Sequence, residues 1–202
     1  AVESTTPIGI AGYEEVLEPG LHFYMTTAKA LEALEAKYKA KKDASQAFKK
    51  GSIYRALKGI EDQAVNTQII LSVFSKDDDS DTNDEITECK KAVSELTKAK
   101  SRFGYNPNLI IAPEYSCEDA VKGEIEKVAT RLKATGIVDL KADDAAAAIV
   151  KMGDFGTNRL VAAYPNVKVW DDETNAYVYE GQSARIAGMI AHTDGASEFG
   201  YS

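Results

Sequence analysis

Apolar positions along this chain switch repeatedly between two spacings. Short runs of β-branched and apolar residues alternate with longer segments whose apolar residues recur every three or four positions. Residues 5–13 (TTPIGIAGY) read as a first strand, with Pro7 at its start or edge. Residues 14–21 hold Pro19-Gly20 and read as a loop. A helix capped by Thr26 or Thr27 follows, carrying Ala30, Leu31, Leu34 and Tyr38 on one stripe. The Lys-rich stretch 37–50 is expected to be a solvated connection. Ser52 is expected to cap a second helix with Ile53, Ala56, Leu57 and Ile60 on one face.

Residues 67–74 (TQIILSVF) predict a second strand buried on both faces, as in a parallel sheet. After an acidic loop, residues 85–103 predict a helix with Ile86, Cys89, Val93, Leu96, Ala99 and Phe103 on its apolar line, stopped by Gly104. Residues 109–112 (LIIA) give a third strand. Ser116 is expected to cap the next helix, with Glu118 and Asp119 in its first turn and Gly136 at its end. Residues 137–140 form a fourth strand. Asp143 opens a helix over 145–152, and residues 160–164 (LVAAY) read as a fifth, buried strand. A hairpin pairs 167–170 with 176–179 across a DDETN turn. The last helix begins at Gln182-Ser183-Ala184. Strands alternating with helices predict an α/β fold, a mostly parallel layered sheet flanked by helices, with a C-terminal hairpin and helix.

Composition narrows the function classes. A net charge of −8 over 202 residues argues against a nucleic-acid binder, which would need a basic face. No apolar run reaches the roughly 18 residues of a membrane span. Two cysteines, Cys89 and Cys117, are too few for a disulfide framework or an all-cysteine zinc site.

Candidate chemistry is sparse. Asp77, Asp79, Asp81, Asn83, Glu85 and Glu88 occupy the ligand positions of a calcium loop. Thr82 stands where the sharp turn wants glycine, so a solvated loop is the simpler reading. Cys117, at a helix start, is placed where a thiolate is stabilised, but neither His22 nor His192 has a context that makes it the base. Asp139, Ser183 and His192 supply the residue types of a hydrolase triad without a Gly-x-Ser-x-Gly elbow. Gly9-Ile10-Ala11-Gly12 has too few glycines for a dinucleotide loop. Gly153-Asp154-Phe155-Gly156 reads as a helix stop. Trp170, Tyr177 and Tyr179 make the hairpin aromatic, a ligand face or cross-strand packing. No catalytic, cofactor-binding or metal-binding residue is assigned.

Four passages, in order, resemble the tail sheath protein of contractile-tailed phages and prophages. They are TPIGIAG (6–12), SRFGYNPNLIIAPEYS (101–116), DAVKGEIEKVATRLKATGIVD (119–139) and the long run 160–194. That run carries Tyr164, Pro165, Val167, Val169, Trp170 and Asp171. It continues with Ser183, Ala184, Ala187, Gly188, Ile190, Ala191, Thr193 and Asp194. The resemblance implies a subtilisin-like layered core without protease chemistry. It also implies a structural subunit of stacked hexameric rings around a tail tube, in the virion tail and before release in the host cytoplasm. Sheath proteins carry an N-terminal arm and a further C-terminal domain. Residues 1–202 are therefore expected to be one core domain lacking both, monomeric or weakly associating alone. The rival expectation is a layered α/β hydrolase-like enzyme.

Overall fold

The computed structural model describes residues 1–76, 81–171 and 175–197. Its elements run β1 (Val2–Glu3), β2 (Ile8–Tyr13), β3 (Gly20–Tyr24), α1 (Thr27–Asp43), α2 (Ser52–Glu61), β4 (Val65–Asn66), β5 (Ile69–Phe74) and α3 (Thr82–Glu95). A 3₁₀ turn (Leu96–Lys98) leads into α4 (Ala99–Phe103), β6 (Leu109–Ile111), α5 (Asp119–Leu132), β7 (Thr135–Asp139), α6 (Ala145–Gly153), β8 (Leu160–Ala163), β9 (Val167–Asp171), β10 (Ala176–Glu180) and α7 (Ser183–Ala196).

Six strands form the main sheet in the order β3-β5-β2-β6-β7-β8. All neighbours are parallel except β3, which runs antiparallel on the outer side of β5. The five parallel strands thus follow the doubly wound order in which the first strand lies between the second and third. The α/β class and the mostly parallel sheet agree with the sequence pattern.

The sheet's two faces explain its apolar runs. Ile8, Ile10, Ile69, Leu71, Ile111 and Ile137 point to a layer made by α1, α2 and α7. Ala11, Ile70, Ile110 and Val138 point to the opposite layer of α3, α4 and α5. Every residue of β5 is buried, as its unbroken apolar sequence requires. In α7 the small residues Ala184, Ala187 and Ala191 are buried against the first layer. Thr6 Oγ1 donates to Asp194 Oδ2 at 2.7 Å, joining the approach to β2 to the end of α7.

Several local expectations are corrected. Residues 20–24 are a strand, because Leu21 and Phe23 close the α3–α4 side of the sheet beside β5. Helix α1 runs on through the Lys-rich stretch to Asp43. Lys and Ala are good helix formers, and Lys41 and Lys42 complement the dipole in its last turn. Gly51, not Ser52, is the N-cap of α2, since the Ser52 hydroxyl accepts from Tyr13 N at 3.1 Å.

Similarly, Glu118 rather than Ser116 occupies the N-cap of α5. That helix ends with Lys133 in the left-handed region at φ 58°, and Gly136 lies inside β7. A Cβ on Gly136 would stand 2.4 Å from Ile125 Cγ2, so glycine is needed there for close packing rather than for stopping a helix. Asp144, not Asp143, caps α6, accepting from Ala147 N at 2.8 Å. Strand β8 is an edge strand and only partly buried.

Candidate functional site

At the carboxyl ends of β6 and β7 the chain gathers Ser116, Asp139 and Ser183, three polar residues that are all nearly inaccessible. Asp139 closes β7, Ser116 follows β6, and Ser183 opens α7. The Asp139 carboxylate accepts from Ser183 N at 2.8 Å, from Ser183 Oγ at 2.6 Å and from Ser116 Oγ at 3.3 Å. The Ser116 hydroxyl also accepts from Asp139 N at 3.0 Å. Burial pushes the Asp139 carboxyl above the usual carboxylate range, and the serine hydrogen bonds pull it partly back. The cluster fastens the start of α7 to the sheet.

Two of the three triad residue types therefore do meet, but in an arrangement without a base. Ser183 donates directly to Asp139, with no imidazole between them. His192 lies nine residues further along the same helix, about 13 Å along its axis and on its opposite side. Its Nδ1 is 2.8 Å from Gln63 O. His22 Nε2 is 2.7 Å from Glu18 O. A serine without a base within reach is not activated.

A second polar cluster lies where β2 ends. Glu14 is 3% exposed, accepts from Tyr38 Oη and accepts from Tyr54 N at 3.2 Å. Gly51 N donates to Tyr38 Oη at 3.1 Å. Burial raises the Glu14 carboxyl, and these bonds oppose the rise. In the sequence Glu14 reads as a loop residue. A lone acid after a strand carries no periodic signal that would reveal its burial.

Beside the first cluster is a cleft of about 410 Å³, lined by Arg55, Glu114, Cys117, Lys141, Glu180 and Arg185 among others. Its arginines are paired within the chain. Arg55 bonds Glu114 and, at 2.9 Å, Tyr13 Oη. Arg185 bonds Glu180 at 3.1 Å and Asp62 at 3.2 Å. The half-buried Cys117 thiol is 3.6 Å from Glu114 O and 3.8 Å from Glu118 Oε1. Burial first, then the Glu118 charge, pushes its pKa up, the reverse of what a nucleophilic thiolate needs. Cys89 is core, as its place on the apolar line predicts.

The remaining candidates are dispersed. Asp77 and Asp79 of the acidic loop lie outside the described residues. Asp81 is the N-cap of α3, so Asn83, Glu85 and Glu88 stand on a helix rather than around a loop. Glu85 bonds Lys76 and Tyr115, and Glu88 bonds Lys91. Among the described residues no group of three His, Cys, Asp or Glu side chains is arranged to hold a metal ion. Gly9 and Gly12 lie within β2, not in a phosphate loop. Phe155 of the Gly-Asp-Phe-Gly passage packs on the α5 side after α6 ends. Trp170 and Tyr177 are directly opposed in the hairpin, ring centroids 5.1 Å apart and nearly perpendicular, which is cross-strand packing. The turn residues 172–174 lie outside the described residues.

The burial shifts make a prediction about pH. Asp139 and Glu14 have folded pKa values raised above their unfolded ones. Between the ordinary carboxylate range and those raised values, the native state binds more protons than the unfolded chain. Stability then falls as pH rises through that window. Glu15 and Asp119 are shifted down by Lys41 and Lys122, and their contribution is lost as pH falls through their lowered values. Thermal unfolding followed across pH is expected to give its highest Tm on the acid side of neutrality, with a smaller acid gain in Asp139→Asn. A Tm that climbs steadily from about pH 5 to 8 contradicts this.

The geometry thus defines a layered α/β domain whose buried polar groups fasten the fold and whose cleft arginines are paired with the chain's own acids. Comparison with known proteins supplies the family. The chain is 34% identical over 171 residues to a Pseudomonas aeruginosa (strain UCBPP-PA14) protein named "Putative prophage major tail sheath protein", covering 80% of this chain and 43% of that one. It is also 35% identical over 100 residues to the "Tail sheath protein" of Burkholderia phage BcepMu, covering 46% of this chain and 21% of that one. No family model matches the sequence. The chain is a relative of phage tail sheath proteins, as the four passages implied, and it spans less than half the length of these curated relatives.

Proposed function

We propose that residues 1–202 form the core domain of a structural subunit of a contractile tail sheath. Such subunits polymerise as stacked hexameric rings around a tail tube, and contraction of the sheath drives the tube through the host envelope. The observation that carries this reading is the 34% identity extending over 80% of the chain to a prophage sheath relative. In this reading the chain's partners are other copies of itself and the tube protein. Its place is the virion tail, after assembly in the host cytoplasm. It is not an enzyme and uses neither cofactor nor metal. By itself the core is monomeric or weakly associating, because in sheath proteins terminal segments join neighbouring subunits. The direct Ser183–Asp139 bond and the distant His192 favour this over the hydrolase-like alternative.

Work in contraction comes from rearranged contacts between nearly rigid subunits. A core this thoroughly fastened, with α7 tied to β7 through Asp139 and to the approach to β2 through Asp194, suits such rigid motion. Antibody raised against residues 1–202 is expected to label purified tail particles along their shafts. Labelling confined to the tips, or none, overturns the proposal.

A further inference from the structure

The hairpin of β9 and β10 stands apart from the rest of the domain. Among the described residues its strands pair with each other and not with the six-stranded sheet. Neither strand has a fully buried residue, and neither apolar core includes one of their side chains. The core therefore loses little packing if the hairpin moves. Within itself the hairpin is coherent. Its ladder is continuous from Val167 opposite Glu180 to Asp171 opposite Ala176, and the Trp170 and Tyr177 rings pack across it.

Both legs of the hairpin are fixed at one place, the end of β7. Leu140 N donates to Ala163 O at 2.9 Å, where β8 stops. The Asp139 carboxylate accepts from Ser183 N at 2.8 Å, where α7 begins. Residues 164–182 thus leave the body and return to it at neighbouring points. Gln182 Nε2 donates to Pro165 O and ties the two legs together. A Cβ on Gly181 would lie 2.3 Å from Asp139 Cγ, so the second leg runs directly against that carboxylate.

Beyond the legs the hairpin faces space rather than packed side chains. One wall of the 410 Å³ cleft is β10, from Val178 to Glu180, and other walls are Ala56 of α2 and Cys117. A groove of about 250 Å³ lies between Val169 and Val178 on the hairpin and Tyr54 and Lys58 on α2. Inner valines that line gaps lack the close contacts that lock an element in place. Arg185 reaches across instead, bonding Glu180 at the foot of β10 and Asp62 at the end of α2. The Arg185 and Glu180 side chains are 16% and 19% exposed, so their pair is partly shielded from water. We propose that β9 and β10 form a hinged arm, which swings as one piece about residues 164–166 and 181–182 and is latched beside the cleft by the Arg185–Glu180 pair. Release of the latch opens the cleft wall while the sheet and both cores stay as they are. Such motion is a property of this domain and holds whether or not the sheath reading does.

The half-buried Cys117 thiol lines the cleft and Cys89 is buried in the core, so alkylation of Cys117 by iodoacetamide in the intact protein reports opening of the wall. Arg185→Gln and Glu180→Gln each remove the latch, and the second leaves Arg185 with Asp62. Both are expected to raise the alkylation rate about threefold, the scale of one partly exposed ion pair. A purely electrostatic effect on the thiol moves the two variants in opposite directions, since one loses a cation and the other an anion. Opposite changes, a rise in only one variant, or no change in either overturns the latch. The swing itself is read from spin labels at Tyr177→Cys and Lys127→Cys in a Cys117→Ser background. Adding Glu180→Gln is expected to broaden or split their distance distribution, while a reference pair on the body, Lys39→Cys with Lys127→Cys, stays narrow. Broadening of both pairs, or of neither, overturns the arm.

Discussion

Replacing Asp139 with alanine is expected to destabilise the domain by about 3 kcal/mol, because buried donors are then left without an acceptor. Ser183 N, Ser183 Oγ and Ser116 Oγ all point at that carboxylate, and both serines are fully buried. For a domain of this size the loss corresponds to a fall in Tm of about 6–12 °C. Asp139→Asn retains one acceptor oxygen in the same place and is expected to cost about 1 kcal/mol. The graded pair distinguishes a fastening role from a catalytic one. Chemical denaturation of the three proteins measures it, and equal stability of wild type and Asp139→Ala would remove Asp139 from the framework.

Gly51→Ala is expected to cost at least as much, for a steric reason. A Cβ at that position would lie 2.3 Å from Tyr13 O and 2.9 Å from Glu14 Cα, both backbone atoms. Neither can rotate away, so the start of α2 must move off the end of β2. That shift breaks the Ser52 bond to Tyr13 N and the Gly51 bond to Tyr38, and leaves the buried Glu14 with fewer donors. Forced overpacking combined with a stranded buried carboxylate gives an expected loss of about 3 kcal/mol or more. The backbone at Gly51 is ordinary extended chain, φ −77° and ψ 174°, so conformational preference alone has little effect. Denaturant unfolding that shows a loss under about 1 kcal/mol would mean the α2 start yields without strain.

These two positions also show where sequence reading ends. The five parallel strands and the helices between them are legible because each buries a periodic apolar face; the continuous run Ile69-Ile70-Leu71 announces a doubly covered strand. What decides the joints is hidden. Ser52 and Ser116 look like helix caps in the chain, yet both hydroxyls are spent on other elements, Tyr13 and Asp139. Gly136 looks like a helix stop but sits in a strand because α5 packs too close for any side chain. Strand β3 escapes sequence reading because its partner, β5, lies 45 or more residues away, and pairing over that distance leaves no mark on residues 20–24 themselves.

The candidate site is legible in its members but not in their relations. Asp139 and Ser183 stand out as triad types, and the structure does join them. Nothing in the chain's order reveals that Ser183 bonds the acid directly and that His192 serves the α2–β4 connection instead. Resemblance carries the rest: the passages of residues 101–139 and 160–194 signal the family without any geometry, while residues 14–100 contribute only a pattern of strands and helices.

On the proposed reading, this chain works by contact with copies of itself. Negative-stain microscopy of the intact protein, expressed alone and concentrated, tests it most directly. Rings or tubes of uniform diameter are the expected result. Particles that remain single and unassociated at every concentration, and on addition of the tube protein, would contradict it.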